Sequence, residues 1–210
     1  MIAQTIDQSK PIHTSPRQVE MEFLFLDLTT CTRCVGTHQN LETAIESLKH
    51  VLALTGVQVT VNKVLIDSPE KAVAHHFVTS PTLRINGRDI ALETKESRCD
   101  SCTELCGCQE GTLCRVWLYQ GQEYTEAPVA MIVEALLQEV YGTRPKPFEP
   151  AATYTQVPDN LQHFFAGRSQ LIIPSPSACC APETQATCCE PAEKSACCGQ
   201  AAQTERCGCQ

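Results

Sequence analysis

The sequence predicts an α/β domain with a partly parallel sheet. Three observations carry this. A run of large apolar residues, Phe23, Leu24, Phe25, Leu26 and Leu28, ends in Thr29-Thr30 and a C-x-x-C pair, Cys31 and Cys34, and helical periodicity begins directly afterwards. A second strand pattern, Val57 to Ile66, follows that helix, and strands joined through a helix run parallel. Ser80-Pro81-Thr82 then leads into Asn86-Gly87, a strong hairpin turn between short strand patterns.

Each element has a local reason. The nearly continuous apolar run from about Glu22 to Leu28 suits a central strand buried on both faces. Leu41, Ile45, Leu48 and Leu52 fall on one helical face, and Gly56 fits the stop of that helix, which starts near Cys34. In the next strand Val57, Val59 and Val61 alternate, then Val64 and Ile66 alternate in the opposite phase, which predicts a bulge near Asn62-Lys63. Ser68 caps and Pro69 opens a short helix over Glu70 to Phe77. Its adjacent His75 and His76 point to different sides, which argues against their ligating one ion together. Thr82 to Ile85 and Asp89 to Leu92 form the hairpin. Pro81 stands at the mouth of its first strand, where a missing N–H is tolerated and a cis bond is a candidate. Arg115 to Tyr119 and Gln122 to Thr125 make a further strand pair. Pro128 opens a last core helix with Val129, Ile132, Val133, Leu136, Leu137 and Val140 on its apolar face, ending at Gly142.

Composition narrows the function. The net charge of −8 argues against a general nucleic-acid binder and against a binder of anionic membrane surfaces. No stretch is apolar enough to span a bilayer, and the first twenty residues hold no continuous apolar segment of signal type, so a cytoplasmic protein is expected. Against that background fifteen cysteines are unusual. In a reducing compartment they read as redox centres or soft-metal ligands. Thiols at a helix N-terminus, with Arg33 between them, are held in surroundings that favour thiolate.

The strand ending in Cys31-Thr32-Arg33-Cys34, the helix after it, and Ser80-Pro81-Thr82 before Asn86-Gly87 together resemble the thioredoxin/glutaredoxin-like superfamily. More narrowly the chain looks like a bacterial thioredoxin-like family labelled as a domain of unknown function. The resemblance covers roughly residues 21 to 142. It implies a thioredoxin-like β-α-β-α-β-β-α fold carrying a cysteine-rich insertion. It also implies site roles: Cys31 attacks a disulfide, Cys34 resolves the mixed disulfide, and Pro81 in a cis bond packs beside them.

The insertion, residues 99–114, reads CDSCTELCGCQEGTLC. Its thiols, Cys99, Cys102, Cys106, Cys108 and Cys114, are expected to be a structural metal site or disulfide bonded. Zinc is the plain occupant of such a set. A soft-metal receiving site comes second, and a thiol relay to Cys31 and Cys34 is a further option.

Residues 1–20 read as a disordered lead-in. Residues 143–177 read as a proline-rich linker with one short helix at about 159–166, capped by Asp159. Residues 178–210 form a tail too polar and too low in complexity to build a core. There Cys179-Cys180, Cys188-Cys189 and Cys197-Cys198 recur every nine residues, and the series closes on Cys207-Gly208-Cys209. Adjacent Cα atoms lie about 3.8 Å apart, too close for a relaxed disulfide, so a vicinal pair is better suited to clamping Cu(I), Hg(II) or As(III).

The combined expectation is a cytosolic dithiol protein with thiol–disulfide exchange activity that handles thiophilic metals or metalloids. Its partner would be a disulfide-bearing or metal-loaded protein, or a small thiol adduct. The alternative is a soft-metal or metalloid binding protein, or metallochaperone, with no enzymatic step.

Overall fold

A computed structural model describes residues 16–91, 93–108, 111–142, 154 and 156–172. Strand β1 (Arg17–Phe25) is the axis of the fold. It begins well before the apolar run, because Val19, Met21 and Phe23 point into the core while Glu20 stays outside. From Phe23 onward both faces are covered, and Phe23, Leu24 and Leu26 have no exposed surface. The lead-in expected through residue 20 therefore overlaps β1, and residues 1–15 lie outside the described residues.

Helix α1 (Thr32–Leu54) follows, with Cys31 as its N-cap and Leu41, Ala44, Leu48 and Leu52 buried along one face. β2 (Val57–Leu65) returns parallel to β1 in an unbroken register from Arg17–Val57 to Phe25–Leu65. The bulge expected near Asn62-Lys63 is absent. β2 lies at the sheet edge, where few of its side chains are buried, so a change in apolar phase needs no backbone adjustment.

α2 (Pro69–Ala74) carries Pro69 in its first turn, and the Ser68 side chain accepts from the Lys71 N–H. It ends short of the expected Phe77: His75 is the C-cap and His76 takes a φ of 46°. β3 (Thr82–Ile85) pairs antiparallel with β1 and with the short β4 (Arg88–Asp89) across Asn86-Gly87. Both turn residues have positive φ, as a two-residue hairpin requires. The sheet order is β2-β1-β3-β4.

The insertion holds a helix and lies between strands of a second sheet. β5 (Lys95–Arg98), α3 (Asp100–Cys106), β6 (Leu113–Tyr119) and β7 (Gln122–Tyr124) form a second sheet, β5-β6-β7, with a one-sided helix between its first two strands. The Arg115 N–H donates to the Ser80 carbonyl at 2.7 Å and ties this sheet to the segment entering β3. α4 (Val129–Tyr141) buries Met131, Ile132, Leu136 and Val140 and packs against α1. α5 (Asp159–Ile172) is longer than the expected short helix. Leu161 and Phe164 on it are fully buried, each such side chain contributing about 1.5–3 kcal/mol. The described residues through Gly167 belong to one compact unit. Among the described residues no helix is long and apolar enough to cross a membrane.

Candidate functional site

The turn from β1 into α1 is built by Asp27. Its Oδ1 accepts from the N–H groups of Thr29 at 2.9 Å, Thr30 at 2.5 Å and Cys31 at 3.0 Å, and its Oδ2 accepts from the Thr29 hydroxyl at 2.9 Å. Burial pushes the Asp27 carboxyl up, but these hydrogen bonds prevail and hold it below the usual carboxylate range. One carboxylate thereby satisfies donors that the start of the helix leaves free. Cys31 is fixed at the N-cap and Cys34 in the first turn.

Cys34 Sγ lies 3.3 Å from Ser80 Oγ, and the Ser80–Pro81 peptide bond is cis. Ser80 Oγ also accepts from the Leu26 N–H at 3.3 Å. The segment that precedes β3 is therefore seated on the dithiol. Neither thiol faces solvent: Cys31 and Cys34 are both 0% exposed.

The insertion supplies what covers them. Cys102 Sγ stands 3.3 Å from Cys31 Sγ, and Cys114 Sγ stands 3.4 Å from Cys102 Sγ. The sulfurs of Cys31, Cys99 and Cys102 all lie within 4.8 Å of one another. Cys31, Cys34, Cys99, Cys102 and Cys114 are free thiols, all buried. The five insertion cysteines do not close on themselves. Cys99 and Cys102 join Cys31 and Cys114 packs against Cys102, while Cys106 and Cys108 are joined by a disulfide.

The thiols share their protons unequally. The Cys31 thiol's hydrogen bond, with the Ser80 hydroxyl and the backbone at Asp27 and Leu26, lowers Cys34 against the cost of burial. Hydrogen bonds from Cys102, then Cys114 and Cys31, lower Cys99. Cys102 is raised by its bonds to Cys114, Cys31 and Cys99 and by burial. For Cys31 the Cys102 contact lowers, but the bonds to Cys34 and Cys99 and burial outweigh it, so Cys31 is raised. Cys114 is raised on the same balance, Cys102 opposing and Cys99 and burial prevailing. Within the cluster, Cys34 and Cys99 are thus the thiols shifted toward the thiolate form, and Cys31, Cys102 and Cys114 those shifted away from it.

Arg33 locks the insertion down. Its guanidinium is buried at 7% exposure. Nη1 donates to the carbonyls of Cys114 at 3.0 Å, Arg115 at 3.1 Å and Ser97 at 3.4 Å. Nη2 donates to Ser97 Oγ at 3.0 Å and the Arg98 carbonyl at 2.5 Å. All of these acceptors are neutral, so the guanidinium is held in the interior by hydrogen bonds alone. Arg115 is buried too, paired with Asp89 at 2.6 Å and lying 4.9 Å over the Trp117 ring.

Reading the sequence did not single out Asp27, Ser80 or Arg115, and valued Arg33 for its charge alone. One signal for the insertion was present in the chain. Cys99, Cys102 and Cys106 follow helical spacing, so in α3 thiols occupy the face that leucines would normally take. Cys179, Cys180, Cys188, Cys189, Cys197, Cys198, Cys207 and Cys209 lie outside the described residues.

A family model described as a domain of unknown function (DUF2703) matches residues 19–136, which takes in every one of the clustered thiols. No curated protein and no solved structure matches the chain.

Proposed function

The chain belongs to the DUF2703 family, and we propose that its buried thiol cluster receives a soft, thiophilic ion such as Cu(I), Hg(II) or As(III). One observation carries the reading: sulfurs from two separate segments, Cys31 at the head of α1 and Cys99 and Cys102 at the head of α3, converge within 4.8 Å, with Cys114 of β6 against Cys102. A set made only of thiols prefers soft ions over hard ones. Burial supports the same choice, because a single ion can reach a site too enclosed to admit a folded disulfide substrate. Zinc suits four thiolates at about 2.3 Å. Its ligands would be Cys31, Cys99, Cys102 and Cys114 rather than the insertion's thiols alone. In this reading the vicinal pairs of the tail collect or hand on the ion, and the partner is a metal-loaded protein or a small thiol adduct in the cytoplasm.

The test is full-length protein with the eight tail cysteines changed to serine, purified without oxygen. We expect elemental analysis and competitive titration to give one equivalent of Cu(I), Hg(II) or As(III), lost in Cys102→Ser. Protein that is metal-free and binds none of the three removes the reading.

Thiol–disulfide exchange is the second reading. The contact between Cys34 and the cis Ser80–Pro81 segment favours it, as does the strand order β2-β1-β3-β4, which supports a thioredoxin-like fold. Cys31 then attacks a disulfide and Cys34 resolves the mixed species. It ranks second because Cys31 is both buried and raised, the reverse of what activates an attacking thiol. Insulin reduction by the parent, lost in Cys31→Ser, would restore it to first place.

A further inference from the structure

The Cys106–Cys108 disulfide is not among the clustered thiols and differs from them chemically. Cys31, Cys34, Cys99, Cys102 and Cys114 are free thiols, while this pair is bonded. Gly107 between them takes a φ of 62°, the left-handed cap that ends α3, and brings the two Cα atoms to 5.2 Å. The two sulfurs are unequally placed. Cys106 is 1% exposed and its Sγ lies 3.2 Å from Thr112 Oγ. Cys108 is half-buried. A hollow of about 280 Å³ is lined by Arg98, Gly111, Leu113, Asp159, Asn160 and His163, of which Gly111 and His163 also meet Cys108. The His163 carbonyl is 3.5 Å from Cys108 Sγ, and the Gly111 N–H donates to the Cys108 carbonyl at 3.3 Å. α5 approaches closely: a Cβ on Gly167 would stand 2.6 Å from the Cys106 carbonyl oxygen and 2.7 Å from Cys108 Sγ.

We propose that Cys106–Cys108 is a second, redox-active site, which takes two electrons from an external dithiol through attack on Cys108. A thiolate of the donor bonds to Cys108 Sγ, the Cys106–Cys108 bond breaks, and its electron pair leaves on Cys106 Sγ. The Thr112 hydroxyl is placed to donate a hydrogen bond to that departing thiolate, which then takes a proton from water. The donor's other thiolate next attacks the donor sulfur of the mixed disulfide. The donor leaves as its own disulfide, and Cys108 departs as thiolate and is protonated. The donor dithiol is oxidised by two electrons and the protein disulfide is reduced by two. Attack falls on the sulfur that a thiolate can reach, and in thiol–disulfide exchange access decides which sulfur is taken. The site needs no ion, so it stands whether or not the thiol cluster binds one.

The experiment uses metal-free full-length protein in its native fold. Dithiothreitol is added in graded excess, reactions are quenched in acid, and thiols are alkylated and assigned by peptide mass spectrometry. We expect Cys106 and Cys108 both to become alkylated without denaturant, and excess oxidised glutathione to close the pair again. In Cys106→Ser, oxidised glutathione should place one glutathione on Cys108. In Cys108→Ser, Cys106 should take it at least about tenfold more slowly, because access limits exchange. A pair that stays bonded until urea unfolds the protein overturns the proposal. So does a pair that oxidised glutathione cannot close, or glutathionylation of Cys106 as fast as of Cys108.

Discussion

The Cys31 sulfur stands 3.3 Å from the Cys102 sulfur, although the two residues are 71 positions apart. Cys31 therefore belongs to two sets at once, the C-x-x-C at the head of α1 and the cluster brought by the insertion. This separates the roles of the two C-x-x-C thiols. Cys31→Ser and Cys102→Ser should each weaken binding of As(III) or Hg(II) by more than the roughly 10–100-fold that a merely supporting residue costs. Cys34→Ser should fall within that smaller range. Competitive titration against a small dithiol chelator measures both. Equal losses for Cys34 and Cys102 would contradict the assignment.

Ion binding should strengthen as pH rises. Cys31 and Cys102 are raised, so they hold protons that an incoming ion must displace. Each proton released adds about tenfold in apparent affinity per pH unit, up to the point where the thiols ionise unaided. Calorimetry in two buffers of different ionisation enthalpy counts the protons. An affinity that does not change with pH would show that the bound thiols were already ionised.

Arg33 is a structural cation with a chemical consequence. Arg33→Met removes the donor to the buried carbonyls of Cys114 and Arg115. Loss of a charged donor to buried groups predicts about 3 kcal/mol or more of destabilisation in urea unfolding. Arg33→Lys should recover only part of this, since an ammonium cannot span the acceptors that a planar fork reaches. Full recovery by lysine would mean that charge alone matters at this position.

Asp27 should be felt at the head of α1. Asp27→Ala leaves the N–H groups of Thr29, Thr30 and Cys31 without their acceptor and should cost about 1–2 kcal/mol, with faster hydrogen exchange at those amides. The carboxyl is depressed in the folded state. Its charge-linked stability is therefore present above the unfolded value of about 3.9 and is lost as pH falls through the folded value. Asp27→Asn, which keeps an acceptor oxygen, should flatten that acid limb. An unchanged slope of stability against pH in acid would refute the link.

Much of the core scaffold was written locally. Apolar runs, the α1 stripe, Ser68-Pro69 and Asn86-Gly87 each act over a few residues, so β1 to β4, β6, β7, α1, α2 and α4 could be read from the chain, with errors at their ends. The mistaken bulge in β2 shows the limit. Apolar phase reports burial only where a neighbour covers the strand, and an edge strand has too few neighbours to enforce it. β5 and α3 were harder, because α3 buries sulfur instead of leucine and β5 is only four residues long.

The sequence by itself determined that this chain is rich in thiols, that two of them begin a helix after a buried strand, and that a proline-led segment follows at hairpin spacing. Only the tertiary structure decided which thiols meet. Cysteine spacing counts residues along the chain, whereas a ligand set is defined by distances in space. The seating of Cys99, Cys102 and Cys114 over Cys31 depends on long-range hydrogen bonds, from Arg33 to the insertion's carbonyls and from the Arg115 N–H to Ser80. No local pattern encodes such contacts, because each joins segments that meet only after the chain has folded.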